Sequence, residues 1–432
     1  MMKTPIFDAV KRYSESGTVR CHMPGHKGVG RLGVEKYDLT EIDGLDVLYS
    51  ADGVINESEN NASELFGTAH SYYSTEGSTL AIKAMLAIAL YARKSDTPPT
   101  VLAARNVHRA FVSAAAVLGF QPIWLSGSGK HVCTCSISAE DVKNALKTME
   151  NKPAAVYITS PDYLGNVLDV EGISRVCDDF SVPLLVDNAH GAYLAFLSPS
   201  EHPIAKGAAM CSDSAHKTLP VLTGGAYLHI SKKFQHFQKW ARSSLSLFAS
   251  TSPSYLIMSS LDLANEYISD GYGDRLSAFV KRVNEIKLKH ALRLDTEPLK
   301  IVLRGSYAEK LRDEGIECEF CDNEYTVLML TPENEADLEK IDSVLSKILI
   351  DAEAGSPCDI SLPDPEYAMS IREATFSDFD EIDVDYAEGR VCAALAVSCP
   401  PAVPIVVSGE LITGEHVALL KRYGIKKIKV VK

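Results

Sequence analysis

From about residue 74 to residue 230 the chain alternates short, uninterrupted apolar runs with longer segments whose apolar residues recur at helical spacing. Residues 78–94, rich in Ala, Leu and Ile, predict a helix, 100–104 a strand, 109–118 a helix and 122–125 a strand. Ser138, placed before Glu140 and Asp141, opens a further helix with a side-chain cap. Beyond it, 154–158 is a continuous apolar strand, 170–180 a helix, and 183–186 a strand that runs into Asp187. Strands that are apolar at every position are covered on both faces, and strands that alternate with helices join by right-handed crossovers. The pattern therefore predicts an α/β fold, a mostly parallel sheet sandwiched by helices. In such sheets ligands bind beyond the carboxyl ends of the strands.

Outside that region the pattern changes twice. Residues 1–50 form an arm, with a short amphipathic helix to about Tyr13 and then a Pro/Gly-rich stretch. Helices are expected at 254–269 and 274–292. After about residue 297, strands at 300–303, 325–330 and 427–431 mix with helices at 307–314, 335–348 and 414–423, with loops at 355–358 and 363–365. The expected domains are the arm (1–50), a large domain (51–296) and a smaller C-terminal α+β domain (297–432). Gly28, Gly30 and Gly33 match a dinucleotide fingerprint, but no strand precedes them and no apolar helix follows, so they cannot set a pyrophosphate on a helix terminus.

Composition narrows the class. With 46% hydrophobic and 23% charged residues and no low-complexity run, the 432-residue chain has the profile of a soluble globular enzyme. A net charge of −14 disfavours nucleic acid or an anionic membrane as partner. The start lacks the apolar core of a signal peptide and the longest apolar run, 84–92, is too short to span a bilayer, so a cytoplasmic protein is expected. Ten cysteines without a regular framework imply reduced thiols. No metal site is expected: Cys318 and Cys321 would point to opposite faces of a strand, and Pro24-Gly25 breaks any helix that would align His22 with His26.

Four places carry candidate chemistry. Lys217, in Ser214-Ala215-His216-Lys217, follows a small apolar run and precedes Gly224-Gly225; a partly buried lysine beside other donors suits a Schiff base, while a surface lysine in a polar loop is the plain alternative. Thr75-Glu76-Gly77-Ser78-Thr79 stands where a loop becomes a long helix, so helix N–H groups and two hydroxyls would hold a phosphate, unless the stretch is only a helix cap. Asp187 ends an apolar strand and suits the protonated nitrogen of a pyridine ring, or else caps a turn. His108, at another strand end, would lie against that ring, though lone histidines are commonly just packed. A lysine, a carboxylate and a phosphate cup are together what pyridoxal 5′-phosphate requires.

With Met23-Pro24-Gly25-His26-Lys27-Gly28, Asp38 to Glu41, Ser160-Pro161-Asp162-Tyr163-Leu164-Gly165, Asp187-Asn188-Ala189-His190-Gly191, Thr251 to Tyr255, Arg372-Glu373-Ala374 and Ser408-Gly409-Glu410, the chain resembles the ornithine/lysine/arginine decarboxylases in their short bacterial form. The resemblance runs over nearly the whole chain. It implies the aspartate-aminotransferase-like type I fold of pyridoxal-phosphate enzymes, and decarboxylation of ornithine, lysine or arginine to an amine for polyamine biosynthesis. It further implies that Lys217 carries the cofactor, Asp187 pairs with its ring nitrogen and His108 stacks on the ring. Gly77, Ser78, Thr79, Ser214 and His216 would surround the phosphate and His190 would support the ring. A homodimer or dimer-based oligomer is implied too, with Thr251 to Tyr255 and the arm completing the neighbour's site. Glu41, Asp43, Asp46 and Glu388 would supply a carboxylate for a cationic substrate end. Four positions depart from the family: Glu76 stands for Asn, Asn188 for Glu, Gly224 for a frequent Gln and Ala402 for Gly. Glu76 puts a negative charge beside the phosphate cup. Transamination, Cα–Cβ lyase chemistry and a catalytically weakened cofactor-binding relative are the alternatives, and no motif selects among the three amino acids.

Overall fold

In the computed structural model, which describes residues 2–432 apart from 94, 126, 130, 351–361 and 400–402, the first elements are α1 (Pro5–Glu15), α2 (Val54–Phe66), β1 (His70–Ser74) and α3 (Gly77–Ala92). There follow β2 (Thr100–Ala104), α4 (Arg109–Leu118), β3 (Gln121–Leu125), α5 (Ala139–Thr148), β4 (Val156–Thr159) and α6 (Val170–Asp179). The chain then runs through β5 (Leu184–Asp187), β6 (Met210–Asp213), the one-turn α7 (Ala215–Thr218), β7 (Ala226–Ile230), α8 (Gln238–Ser246), α9 (Tyr255–Ser269) and α10 (Tyr272–Lys289). The rest comprises β8 (Lys300–Arg304), α11 (Ala308–Asp313), β9 (Phe320–Cys321), β10 (Tyr325–Met329), α12 (Leu338–Ile348), α13 (Ile371–Phe376), β11 (Phe379–Asp383), β12 (Ala396–Cys399), β13 (Val403–Val407), α14 (Gly414–Arg422) and β14 (Lys427–Val431). The expected loop at 355–358 and the departure at Ala402 lie outside the described residues.

Two compact units result, Met1–Arg93 with Pro183–Leu276, and Lys94–Val182 with Ser277–Lys432. In the first, β5 and β6 pair in parallel, and β7 runs antiparallel to both β6 and β1. The second holds the parallel strands β4, β2 and β3, with β2 between the other two. It also holds an antiparallel sheet in the order β8-β10-β9 and the antiparallel pairs β11 with β14 and β12 with β13. The crossover strands are therefore parallel as the apolar pattern requires. Ser138 makes the expected capping box with Asp141. The partition at 50 and 296 along the chain stays our proposal.

Two elements of the first unit escape a hydrophobic pattern. The inner face of α2 is Ile55, Ser58, Glu59, Ala62, Ser63 and Phe66, half of it polar, and β1 reads His-Ser-Tyr-Tyr-Ser although all five residues are buried. Their polar groups are paired inside: Glu59 takes Arg242, His70 and the Tyr73 N–H, and Ser71 meets His229. Burial of satisfied polar groups is permitted but leaves no apolar periodicity to find.

Candidate functional site

β5 and β6 end side by side, with Asp187 in register with Ser212, so residues just past these ends share one edge of the first unit's sheet. Asp187 is 2% exposed, and its Oδ1 accepts the Ala189 N–H at 3.3 Å. Beyond β6, Ser214 precedes the single turn of α7 that carries Lys217. The Lys217 Nζ lies 3.0 Å from the Nε2 of His190, which stands three residues after Asp187. His190 thus touches the lysine itself. The Ser214 hydroxyl donates to the Ser78 hydroxyl at 2.8 Å, and His216 Nδ1 donates to the Gly225 carbonyl at 2.9 Å.

The start of α3 faces the same group of residues. Gly77 adopts φ +70° as the chain enters the helix, and its N–H donates to the Gly224 carbonyl at 2.7 Å. Ser78 and Thr79 follow in the first turn, where helix N–H groups have no intrahelical acceptor and the dipole favours an anion. Gly224 sits at φ +100°, and a Cβ there would come within 2.9 Å of the Thr75 carbonyl. Only glycine fits this backbone conformation without strain. Glu76 is exposed, and its Oε1 accepts the Ser250 N–H at 2.7 Å, so its charge is anchored to the backbone beside the cup.

These residues fit pyridoxal phosphate. The amine, the buried carboxylate and the hydroxyl-lined helix start all belong to one unit, and the Ser78–Ser214 contact joins the cup to the lysine segment. Of the expected set, Gly77, Ser78, Thr79, Asp187, His190, Ser214, His216 and Lys217 lie in the first unit and His108 in the second. His108 caps α4: its Nδ1 accepts the Ala110 N–H at 3.1 Å, so the neutral ring carries its hydrogen on Nε2. Asp46 leaves the candidates for a substrate amine, because its two oxygens already accept the N–H groups of Val47, Asp52, Gly53 and Ile55. Glu41 and Asp43 are exposed. In the stretch expected to complete a neighbour's site, Ser254 caps α9 and Tyr255 is buried, its hydroxyl donating to the Asp46 carbonyl.

One residue at this edge gave no signal beforehand. Asp213 is fully buried at the end of β6; its Oδ2 lies 2.9 Å from His202 Nε2 and 3.3 Å from His229 Nε2, and its Oδ1 accepts the Asn188 amide at 2.8 Å. Burial alone would raise its carboxyl, but the two imidazoles outweigh it and hold the group well below the usual carboxylate range. Cys211 completes the cluster at 3.7 Å. His202 Nδ1 accepts the Ile204 N–H at 3.4 Å, which puts the ring hydrogen on Nε2 and makes His202 a donor to Asp213 rather than a metal ligand. Asp213 also gives the departure at Asn188 a cause: a Glu there would set carboxylate against carboxylate.

Residues 4–305 match the model of the Orn/Lys/Arg decarboxylase major domain and residues 360–423 that of the Orn/Lys/Arg decarboxylase C-terminal domain. The chain is 29% identical to the uncharacterized protein YaaO of Bacillus subtilis, over 98% of this chain and 94% of that one. It is 27% identical to an arginine decarboxylase of the same organism, over 97% and 93%. The fold superposes on the Francisella novicida lysine decarboxylase LdcF with a TM-score of 0.81 at 17% identity, over 99% of this chain and 81% of the other. That likeness shows the architecture, the type I fold of pyridoxal-phosphate enzymes.

Proposed function

Because this chain belongs to the Orn/Lys/Arg decarboxylase family and is thereby a pyridoxal-phosphate-dependent amino-acid decarboxylase, we propose that its substrate is a basic amino acid: ornithine, lysine or arginine. The observation that carries the proposal is the family match over residues 4–305, which holds every residue assigned to the site. Relatives named for arginine and for lysine support a cationic substrate without choosing one.

Lys217 would bind the cofactor covalently, and Ser78, Thr79, Ser214 and His216 would hold its phosphate about the start of α3. Bound pyridoxal phosphate supplies an electron-accepting ring conjugated to the substrate's Cα. Asp187, shielded from water at the end of β5, would keep a proton on the ring nitrogen, since a carboxylate there favours the cation. His190 and Lys217, 3.0 Å apart, can exchange a proton, so a Lys217 ammonium that receives its proton from His190 would be a fitting acid to return one to Cα. His108 is the second candidate for that step and would cover the ring. The same reading has the protein act as a cytoplasmic homodimer that supplies polyamine precursors.

A product screen tests the substrate. Purified protein supplied with pyridoxal phosphate and each of the three amino acids is expected to yield putrescine, cadaverine or agmatine by mass spectrometry. No amine from any of them overturns the substrate class.

A further inference from the structure

We propose that Asp213 is a positioning residue for the reaction: through Asn188 it holds the 187–190 turn against Lys217, an inference that rests on reading this turn and lysine as the cofactor site. Both Asn188 and Asp213 are fully buried. A carboxylate only accepts hydrogen bonds, so the Asn188 amide must present its N–H to Asp213, as the 2.8 Å contact has it. The other end of that amide, Oδ1, has no hydrogen-bond partner among the described residues. The bond to Asp213 is thus the side chain's anchor.

The backbone shows what the anchor holds. The Asn188 N–H donates to the Ser212 carbonyl at 3.0 Å, and the Asn188 carbonyl accepts the Gly191 N–H at 2.8 Å, closing the turn. Asp187 lies on one side of Asn188 and His190 within the turn, where it meets Lys217 at 3.0 Å. Asp213 itself ends β6, the strand that leads into Ser214 and Lys217. One carboxylate therefore ties the loop bearing Asp187 and His190 to the strand bearing the lysine. The groups facing Asp213 are Asn188, His202, His229 and Cys211, with Tyr227 opposite it on β7. The imidazoles keep Asp213 ionised, which makes its bond to the amide a charge-assisted one. Without that acceptor a buried amide N–H would be left unmatched, and the turn would shift to find another.

The test uses the full chain saturated with pyridoxal phosphate and follows two quantities, the visible absorbance of the loaded protein against pH, and kcat with KM. Asn188→Ala removes the tie and leaves Asp213 with its imidazoles; Asp213→Asn removes the charge. In both, the absorbance midpoint is expected to move by about one pH unit or more, and kcat to fall about tenfold or more while KM stays within about threefold. Asn188→Asp combined with Asp213→Asn reverses donor and acceptor and is expected to bring the midpoint back toward wild type. A folded Asn188→Ala protein that titrates as wild type overturns the proposal, and so does a reversed pair no closer to wild type than either single variant. If a single variant does not fold, the reversed pair decides by the same criterion. Wild-type protein without a visible band in the presence of cofactor overturns the cofactor reading itself, a failure distinct from an unshifted variant.

Discussion

Lys217 and Asp187 do different work, and substitution separates them. Lys217→Ala is expected to abolish the visible absorbance of lysine-bound pyridoxal phosphate, because Lys217 Nζ is the amine in contact with His190 at the ends of β5 and β6. An absorption spectrum that keeps the wild-type band contradicts this. Asp187→Asn should still bind cofactor but react far more slowly, since a neutral amide does not hold charge on a pyridine nitrogen. Loss of one partner of a buried charge pair costs about 3–5 kcal/mol, which is about two to four powers of ten in rate if it falls on the transition state. Near-normal turnover would make Asp187 a turn residue only. Asp187 was legible because it closes an apolar strand, where a polar residue has few structural excuses, and Lys217 because it follows a small apolar run between Ser, His and Thr, although it lies on the turn of α7 and not at the strand end itself. Asp213 also ends a strand, but its partners come from a loop and from β7, and nothing in the order of residues brings His202, His229 and Asn188 to one carboxylate.

Among the elements, α1 shows how a helix legible from its apolar stripe can depend on a contact that is not. Its N-cap Thr4 makes no side-chain capping bond among the described residues; instead the N–H groups of Ile6 and Phe7 donate to Asp262 on α9, at 2.9 and 3.0 Å. Burial pushes the Asp262 carboxyl up to about 7, against the downward pull of hydrogen bonds from Ser58, Phe7 and Ile6. Between its ordinary value of 3.8 and about 7 the folded protein then holds a proton that the unfolded chain releases. Stability from this group is present below that window and declines as pH rises through it. Thermal melts of wild type and Asp262→Asn at pH 5 and pH 8 check the sign: the fall in Tm between the two should be smaller in the variant, and an equal fall contradicts it. Elsewhere α3, α4 and β2 follow directly from apolar continuity. α2 and β1 do not, because their buried faces carry Glu59, Ser63, His70 and Ser71 in satisfied pairs.

For the whole molecule, the described residues contain no helix long and apolar enough to cross a membrane. We propose a dimer as the working unit, for which sedimentation of the cofactor-loaded protein is the check: an active monomer contradicts it. Architecture was legible at this scale because parallel strands and crossover helices impose periodicity over many residues. Substrate choice was not, because no pattern in the sequence sets Glu41, Asp43, Asp46 and Glu388, the acids expected to meet a distal cation, apart from solvated acids, and Asp46 proves to be engaged by backbone N–H groups. Reaction type is set by which Cα bond is held perpendicular to the cofactor ring, a property that Lys217, Asp187 and the phosphate cup do not decide. The most direct test is therefore a balance of products from carboxyl-labelled ornithine, lysine and arginine with the cofactor fully loaded. Labelled carbon dioxide equal to the amine formed, with little keto acid, is the predicted result; keto acid in place of carbon dioxide, or no turnover of any of the three, contradicts it.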